Sequence, residues 1–348
     1  MSTRLAAVDL GTVTARLLIA DVEGDRIHEL ERHMRITHLG EGLEHTGLIS
    51  AAAIERERVA CADFLAAIKA VESRDGRPVE AVLAVATSAM RDARNSDEVC
   101  AALAATGLEV EVISGRREAQ LSFCGTLSGF CADGVRDARD GRGARDGRGA
   151  SSTRDGQTVL VVDVGGGSTE LILGAASAQP TILAEHSFDI GSQRMTERFF
   201  ATDPPSASDI ARATAWVEQE MHGFFAALEQ APQSLIAVAG TATTTVTVRD
   251  RVAEYDPWKV HGAKVTAGEL DKMLNKLAKL DLARRRQCIG LEPARAPVIV
   301  GGLITLQTVL RLSGLDSFTV SETDILHGVL LDVLAQPKNS LRQQATTA

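Results

Sequence analysis

Apolar and polar positions follow one pattern twice along this chain of 348 residues. Ala7-Val8-Asp9-Leu10-Gly11-Thr12-Val13-Thr14-Ala15-Arg16-Leu17-Leu18-Ile19 reads as an apolar strand, a turn of aspartate, glycine and small polar residues, and a returning strand. Val161-Val162-Asp163-Val164-Gly165-Gly166-Gly167-Ser168-Thr169-Glu170-Leu171-Ile172-Leu173 repeats it, with Asp163 matching Asp9, Gly165 matching Gly11 and Ser168 matching Thr14. The first half predicts strands at 4–10, 14–22 and 26–37, then a helix at 50–72 with Ile54, Cys61, Phe64, Leu65 and Ile68 at helical spacing. A strand at 79–86, a helix at 96–106 between an N-cap Ser96 and a terminating Gly107, a strand at 108–113 and a helix at 115–130 follow. The second half predicts strands at 158–164, 169–175 and 180–190, a helix at 206–230 and a strand at 234–239. Helices at 241–252, 266–279 and 293–312 and a strand at 316–320 come next. The order βββαβαβα therefore recurs, predicting two duplicated α/β domains at 1–132 and 158–321, then a terminal helix at 322–336 packing back on the first.

Between the halves, 133–157 carries Ala-Arg-Asp-Gly-Arg-Gly twice, at 138–143 and 144–149. Glycine with alternating charge cannot bury a core, which predicts a flexible surface insertion, and 337–348 reads as a polar tail. The net charge of −9 disfavours a nucleic-acid partner, so cations for a polyanionic ligand must be gathered locally. Cys61, Cys100, Cys124, Cys131 and Cys288 are scattered without a C-x-x-C, which fits a reducing cytoplasm better than a disulfide frame or zinc site. No apolar run approaches the roughly 18 residues of a membrane span.

The glycine run at 165–167 leads into a strand, not a helix, and lacks the lysine of a P-loop. It predicts a hairpin whose amides of Gly165, Gly166, Gly167, Ser168 and Thr169 form an anion nest. Asp163 enters this loop and Glu170 leaves it, a carboxylate pair suited to Mg²⁺, or else solvated acids. In the first copy, Asp9 with Gly11, Thr12 and Thr14 would orient a metal-bound water or cap its own turn. Gly240 and Thr241 open a helix after a strand, as an anion site or an ordinary helix start. Arg91, in Thr87-Ser88-Ala89-Met90-Arg91-Asp92-Ala93, is a phosphate fork or the partner of Asp92, and Arg194 is a similar cation after a strand. Glu118, in Ile113-Ser114-Gly115-Arg116-Arg117-Glu118-Ala119, either complements the helix macrodipole or serves as a general base. The eight histidines form no recognisable ligand set.

Together with Asp189-Ile190-Gly191-Ser192, Thr196-Glu197-Arg198, Tyr255-Asp256-Pro257, His261-Gly262 and Val320-Ser321-Glu322, these motifs resemble the exopolyphosphatase / guanosine pentaphosphate phosphohydrolase family, nearly end to end. That family lies in the actin, sugar-kinase and heat-shock-chaperone superfamily, and the chain resembles its short two-domain, actinobacterial type. The resemblance implies two ribonuclease-H-like (actin-like ATPase) domains with a cleft between them, and a homodimer. It also implies cleavage of the terminal phosphoanhydride of inorganic polyphosphate or of guanosine pentaphosphate. Glu118 matches the catalytic base, Asp163 and Glu170 the magnesium acids, the three loops the phosphate cradles, and Arg91 a cleft arginine.

Four features depart from the family pattern. Val13 stands where an asparagine is usual, Arg117 replaces a glutamate beside Glu118, His327 takes a position usually acidic or small, and the 133–157 insertion is long. Arg117 would hold a polyanion or blunt the basicity of Glu118. Beside the two hydrolase readings, Val13 and Arg117 support a non-catalytic polyphosphate or nucleotide sensor. No acceptor-sugar aspartate argues for a kinase.

Overall fold

The computed structural model describes residues 2–130, 136–137, 156–177 and 180–335. Most of the predicted 133–157 insertion and all of the 337–348 tail lie outside the described residues. The chain forms two compact units, one of Met1–Gly149 with Thr323–Ala348, the other of Ala150–Glu322.

The first unit contains β1 (Thr3–Leu10), β2 (Thr14–Glu23), β3 (Arg26–Ile36), α1 (Leu43–Thr46), α2 (Ala51–Asp75), β4 (Ala81–Ala86), α3 (Ser88–Asp92), α4 (Ser96–Ala104), β5 (Val110–Val112), α5 (Gly115–Ser128) and β6 (Arg136–Asp137). The second contains β7 (Thr158–Val164), β8 (Thr169–Ala175), β9 (Thr181–Phe188), α6 (Ser192–Phe199), α7 (Ala207–Ala226), β10 (Ser234–Val238), α8 (Ala239–Arg249), α9 (Pro257–Val260), β11 (Lys264–Thr266), α10 (Ala267–Leu277), α11 (Leu282–Arg285), α12 (Ile299–Leu312) and β12 (Ser317–Val320). The last helix, α13 (Ile325–Ala335), belongs to the first unit and packs on α5.

The sheets run β5-β4-β1-β2-β3-β6 and β11-β12-β10-β7-β8-β9. Without the edge strands β6 and β11 the two orders are the same. In each, an antiparallel three-stranded meander continues into two strands parallel to its first. The duplication reaches single residues. The second and third strands slip register at Ile19/Ala20 and again at Leu173/Gly174, in each case ten residues after the matched aspartate. A bulge that survives at one position in both copies bends both sheets at the same place.

β1 is buried on both faces, which explains its apolar run Leu5-Ala6-Ala7-Val8. Ala6, Val8 and Leu10 join a core with Cys61 and Phe64 of α2 and Val99 and Leu103 of α4. Leu5 and Ala7 face the opposite core, with Leu121 of α5 and Ile325, Leu326, Val329 and Leu330 of α13. The second unit has a single large aliphatic core around β7, β10 and α12. Caps set several helix starts: Ser50 accepts the Ala53 amide, and Ser206/Asp209 and Thr266/Glu269 form capping boxes.

Several elements differ from the sequence reading. The helix predicted at 293–312 begins only at Ile299, because Pro297 disfavours helical backbone at its predecessor. The helices predicted at 241–252 and 322–336 are Ala239–Arg249 and Ile325–Ala335. Strand β11 and the short helices α1, α3, α6, α9 and α11 were absent from the pattern, being too short to show a period. No helix among the described residues is long and apolar enough to cross a membrane.

Candidate active site

Both copies of the doubled motif fold into the same turn. The Gly11 amide bonds the Thr14 carbonyl at 3.0 Å, and the Gly165 amide bonds the Ser168 carbonyl at 3.0 Å. A Cβ would lie 3.1 Å from the Thr14 oxygen at Gly11 and 3.2 Å from the Ser168 oxygen at Gly165, so both turns press on their glycine. The first loop is packed from behind. Thr37 and His38 amides bond the Val13 carbonyl, and the Gly40 amide bonds that of Thr12.

The copies diverge at the residue paired across the strands from the aspartate. Asp9 faces Arg16, whereas Asp163 faces Glu170. The Arg16 guanidinium donates to Asp9, with Nε at 3.0 Å, and reaches Asp324 just before α13. Burial pushes the Asp9 carboxyl up, and Arg16 works against that shift. Asp324 is buried too, yet Arg16 and His327 hold its carboxyl far below the usual range. His327, the departure in α13, is buried completely. Its Nε2 pairs with Glu29 at 2.8 Å, and its Nδ1 lies 3.3 Å from the Asp324 amide nitrogen.

Asp163 and Glu170 are 6% and 1% exposed, and Ser187 donates to Glu170 at 2.7 Å. Two buried carboxylates directly opposite on neighbouring strands repel unless a cation joins them. All their donors are oxygens. Among the described residues no set of three or more His, Cys, Asp and Glu forms a metal cage. A pair of carboxylates beside an anion loop instead suits magnesium, which is held by one or two carboxylates and completed by substrate phosphate and water. The donor set therefore fits this ion.

The glycine loop is anchored through its carbonyls. Ser192 and Gln193 amides at the start of α6 bond the Gly165 and Gly166 oxygens at 2.9 and 2.8 Å, and Arg194 Nε bonds that of Gly167 at 2.9 Å. None of these bonds draws on the amides of Gly166, Gly167 or Ser168, the groups an anion needs. The Thr169 hydroxyl donates to the Ile190 carbonyl, tying down the loop's exit. Thr241, in the first turn of α8, donates to the Val164 carbonyl at 3.5 Å and so lies against the same loop.

Arg295 escaped the sequence reading, which placed it inside a helix. Its buried guanidinium lies over Gly240, where a Cβ would overlap Nη1. The flanking Pro293 and Pro297 were the available signal for an arginine on a turn. Gly240→Ala should displace this guanidinium, which is the end of a long side chain, with little loss of stability. The expected result is a several-fold rise in KM for a phosphate polymer with melting temperature held.

In the first unit, α3 and α5 bring Arg91 and Glu118 together. Arg91 Nη1 donates to Glu118 Oε2 at 2.6 Å and to the Ile113 carbonyl at 3.1 Å. Arg91 thus pairs with Glu118 instead of Asp92, which accepts from Ser88. Glu118 is buried in the first turn of α5, whose N-cap Ser114 accepts the Arg117 amide. Arg117 does not take the place expected beside the base, because its guanidinium is paired with Asp332 of α13. A cation that does reach Glu118 is Arg91.

Three similarities with known proteins bear on the family. The chain is 34% identical to Exopolyphosphatase 2 of Mycobacterium tuberculosis, across 95% of this chain and 98% of that one. A solved exopolyphosphatase-like protein superposes with a TM-score of 0.81 at 32% identity, covering 95% of this chain and 98% of the other. The Aquifex aeolicus Ppx/GppA protein gives 0.72 at 27%, covering 96% and 98%. The model of the Ppx/GppA phosphatase family matches residues 18–137 and 143–336. With two actin-like α/β units and full-length likeness to its members, the chain belongs to the Ppx/GppA phosphatase family.

Proposed function

We propose that the protein is an exopolyphosphatase, hydrolysing the terminal phosphoanhydride of inorganic polyphosphate and releasing orthophosphate. The likeness to Exopolyphosphatase 2 over nearly the whole of both chains carries this reading. Glu118 is the base that takes a proton from the attacking water. Arg91, already on its carboxylate, is placed to transfer its hydrogen bonds to a phosphate oxygen. The glycine-loop amides and Arg194 hold phosphate oxygens. Asp163 and Glu170 hold magnesium, which when bound offsets the charge of the transferring phosphoryl group. Such chemistry rests on positioning and electrostatics, since phosphoryl transfer asks for little covalent assistance. The compartment we assign is the cytoplasm, consistent with free thiols at Cys61, Cys100, Cys124 and Cys288, and the assembly a homodimer.

Guanosine pentaphosphate is the second substrate candidate, since the nest recognises phosphate and not what it is attached to. Orthophosphate release should be measured from long-chain polyphosphate, guanosine pentaphosphate and ATP, with magnesium and with chelator. Release that is fastest from polyphosphate and is abolished by chelation is expected. Fastest release from guanosine pentaphosphate would reassign the substrate, and no release from any of the three would favour a phosphate-binding sensor.

A further inference from the structure

The buried stripe of α2 runs Ala53, Glu57, Ala60, Cys61, Phe64, Ile68, Val71. Glu57 interrupts it with a carboxylic acid. The residue is wholly buried, and neither Oε1 nor Oε2 has a hydrogen-bond partner. Two more unpartnered oxygens lie in the same region, Thr37 Oγ1 and Asp9 Oδ1. Asp9 begins the first loop, and the Thr37 amide holds that loop's Val13 carbonyl at 2.9 Å. Glu57 therefore sits beneath the first loop beside the Asp9 carboxylate, with the Thr37 hydroxyl as a neutral donor within reach. Arg56, its neighbour on α2, is committed elsewhere, to the Thr37 and His38 carbonyls and to Glu41.

An ionised carboxylate buried without a hydrogen bond is expensive enough that the group takes up a proton instead. A protonated Glu57 has one O–H to donate. The Asp9 oxygen that Arg16 leaves uncovered is the anionic acceptor available to it. We infer that Glu57 is a positioning residue: it stays protonated, donates its O–H toward Asp9, and so holds the first loop in its turn.

The surrounding charges agree. Burial pushes Glu57 up to about 7, the charge on Asp9 adds to the shift, and the Thr37 hydroxyl and Arg56 oppose it. Cys61, one turn further along α2, is pushed up to about 12 by burial and by the Glu57 carboxyl. Asp9 has Arg16 as its cation and Asp324 as a further anion. When Glu57 ionises, a second negative charge stands beneath a loop that must itself bind an anion. In the unfolded chain the same group titrates near 4.5. The stability that its proton supports is thus complete below that pH and is lost as pH rises through about 7.

The loop's part in activity rests on the proposed function; the proton does not. Melting temperature and polyphosphate kcat/KM should be followed from about pH 5 to 9 for the wild type and Glu57→Gln, whose amide keeps shape and donor without titrating. The wild type should lose melting temperature across this range. Its kcat/KM should bend down above about pH 7, with a slope of at most roughly tenfold per pH unit. Glu57→Gln should show neither trend. Identical pH slopes in the two proteins would overturn the inference. Infrared difference spectra of the wild type give an independent reading should the variant fold poorly. A protonated-carboxyl band that disappears between pH 6 and 8 supports a proton on Glu57, and its absence refutes it. No polyphosphate hydrolysis at any pH would count against the proposed function, and the melting slopes and spectra would then decide the proton alone.

Discussion

Glu118→Gln should lower kcat for polyphosphate hydrolysis by roughly 10²–10⁴-fold, the range that a general base contributes. The argument starts from local structure. Glu118 lies in the first turn of α5, and its amide bonds the Ser114 carbonyl at 2.9 Å while Ser114 caps the helix. The side chain is therefore aimed by a capped, rigid helix end. A glutamine there still accepts from Arg91 through its amide oxygen, so packing and the Arg91 contact survive. What is lost is the capacity to take a proton. In the free protein Arg91 donates to the Glu118 carboxylate at 2.6 Å. A phosphate oxygen would compete for the same guanidinium. The expected signature is a collapse of kcat with KM nearly unchanged, read by steady-state phosphate release alongside equilibrium binding of a polyphosphate chain. A variant that turns over at the wild-type rate would remove Glu118 from its assigned role.

Arg91 and Glu118 also mark how far the sequence could be read. Each was visible alone, on a strand end and on a helix start, because glycine and serine punctuate those places. Their pairing was not, since 27 residues and two turns separate them. The doubled hairpin was fully legible, because alternation and glycine placement are local. The meaning of its second polar position was not. Arg16 opposite Asp9 and Glu170 opposite Asp163 become equivalent only once strand register is fixed, and register then shows a carboxylate facing a guanidinium in one copy and a carboxylate facing a carboxylate in the other. Glu57 was hidden for a different reason: an acid on an amphipathic helix reads as solvated, and its burial is imposed by strands distant in sequence. The long helix drawn through Arg295 failed because apolar spacing was allowed to outweigh Pro297. Arg117 failed because adjacency in sequence was taken for adjacency in space, whereas successive positions on a helix point about 100° apart.

Gly328→Ala should lower the melting temperature, and a helical glycine elsewhere shows why the sign is informative. Replacing glycine by alanine inside a helix gains up to about 1 kcal/mol of propensity. At Gly223 in α7 nothing lies within 4 Å of the added Cβ, so Gly223→Ala should show that gain as a raised melting temperature. At Gly328 the Cβ would overlap the backbone carbonyl of Leu121 in α5, and at Gly125 it would overlap that of Asp324. The two helices touch backbone to backbone through a reciprocal pair of glycines, and backbone cannot rotate aside as a side chain can. Overpacking of this kind costs about 3 kcal/mol. That exceeds the propensity gain by about 2 kcal/mol, which lowers the melting temperature by roughly 4–8 °C for a unit of this size. Activity should fall further than stability alone requires. The contact lies where α13 begins, and Asp324 there holds Arg16 against Asp9. Forcing α13 from α5 moves that carboxylate and loosens the first loop, so Gly125→Ala, which strikes Asp324 itself, should show the larger loss of kcat/KM at a temperature where both variants are folded. If Gly328→Ala and Gly223→Ala shift the melting temperature in the same direction by the same amount, α5 and α13 do not make this approach. The link from the terminal helix to the phosphate loop would then be lost with it.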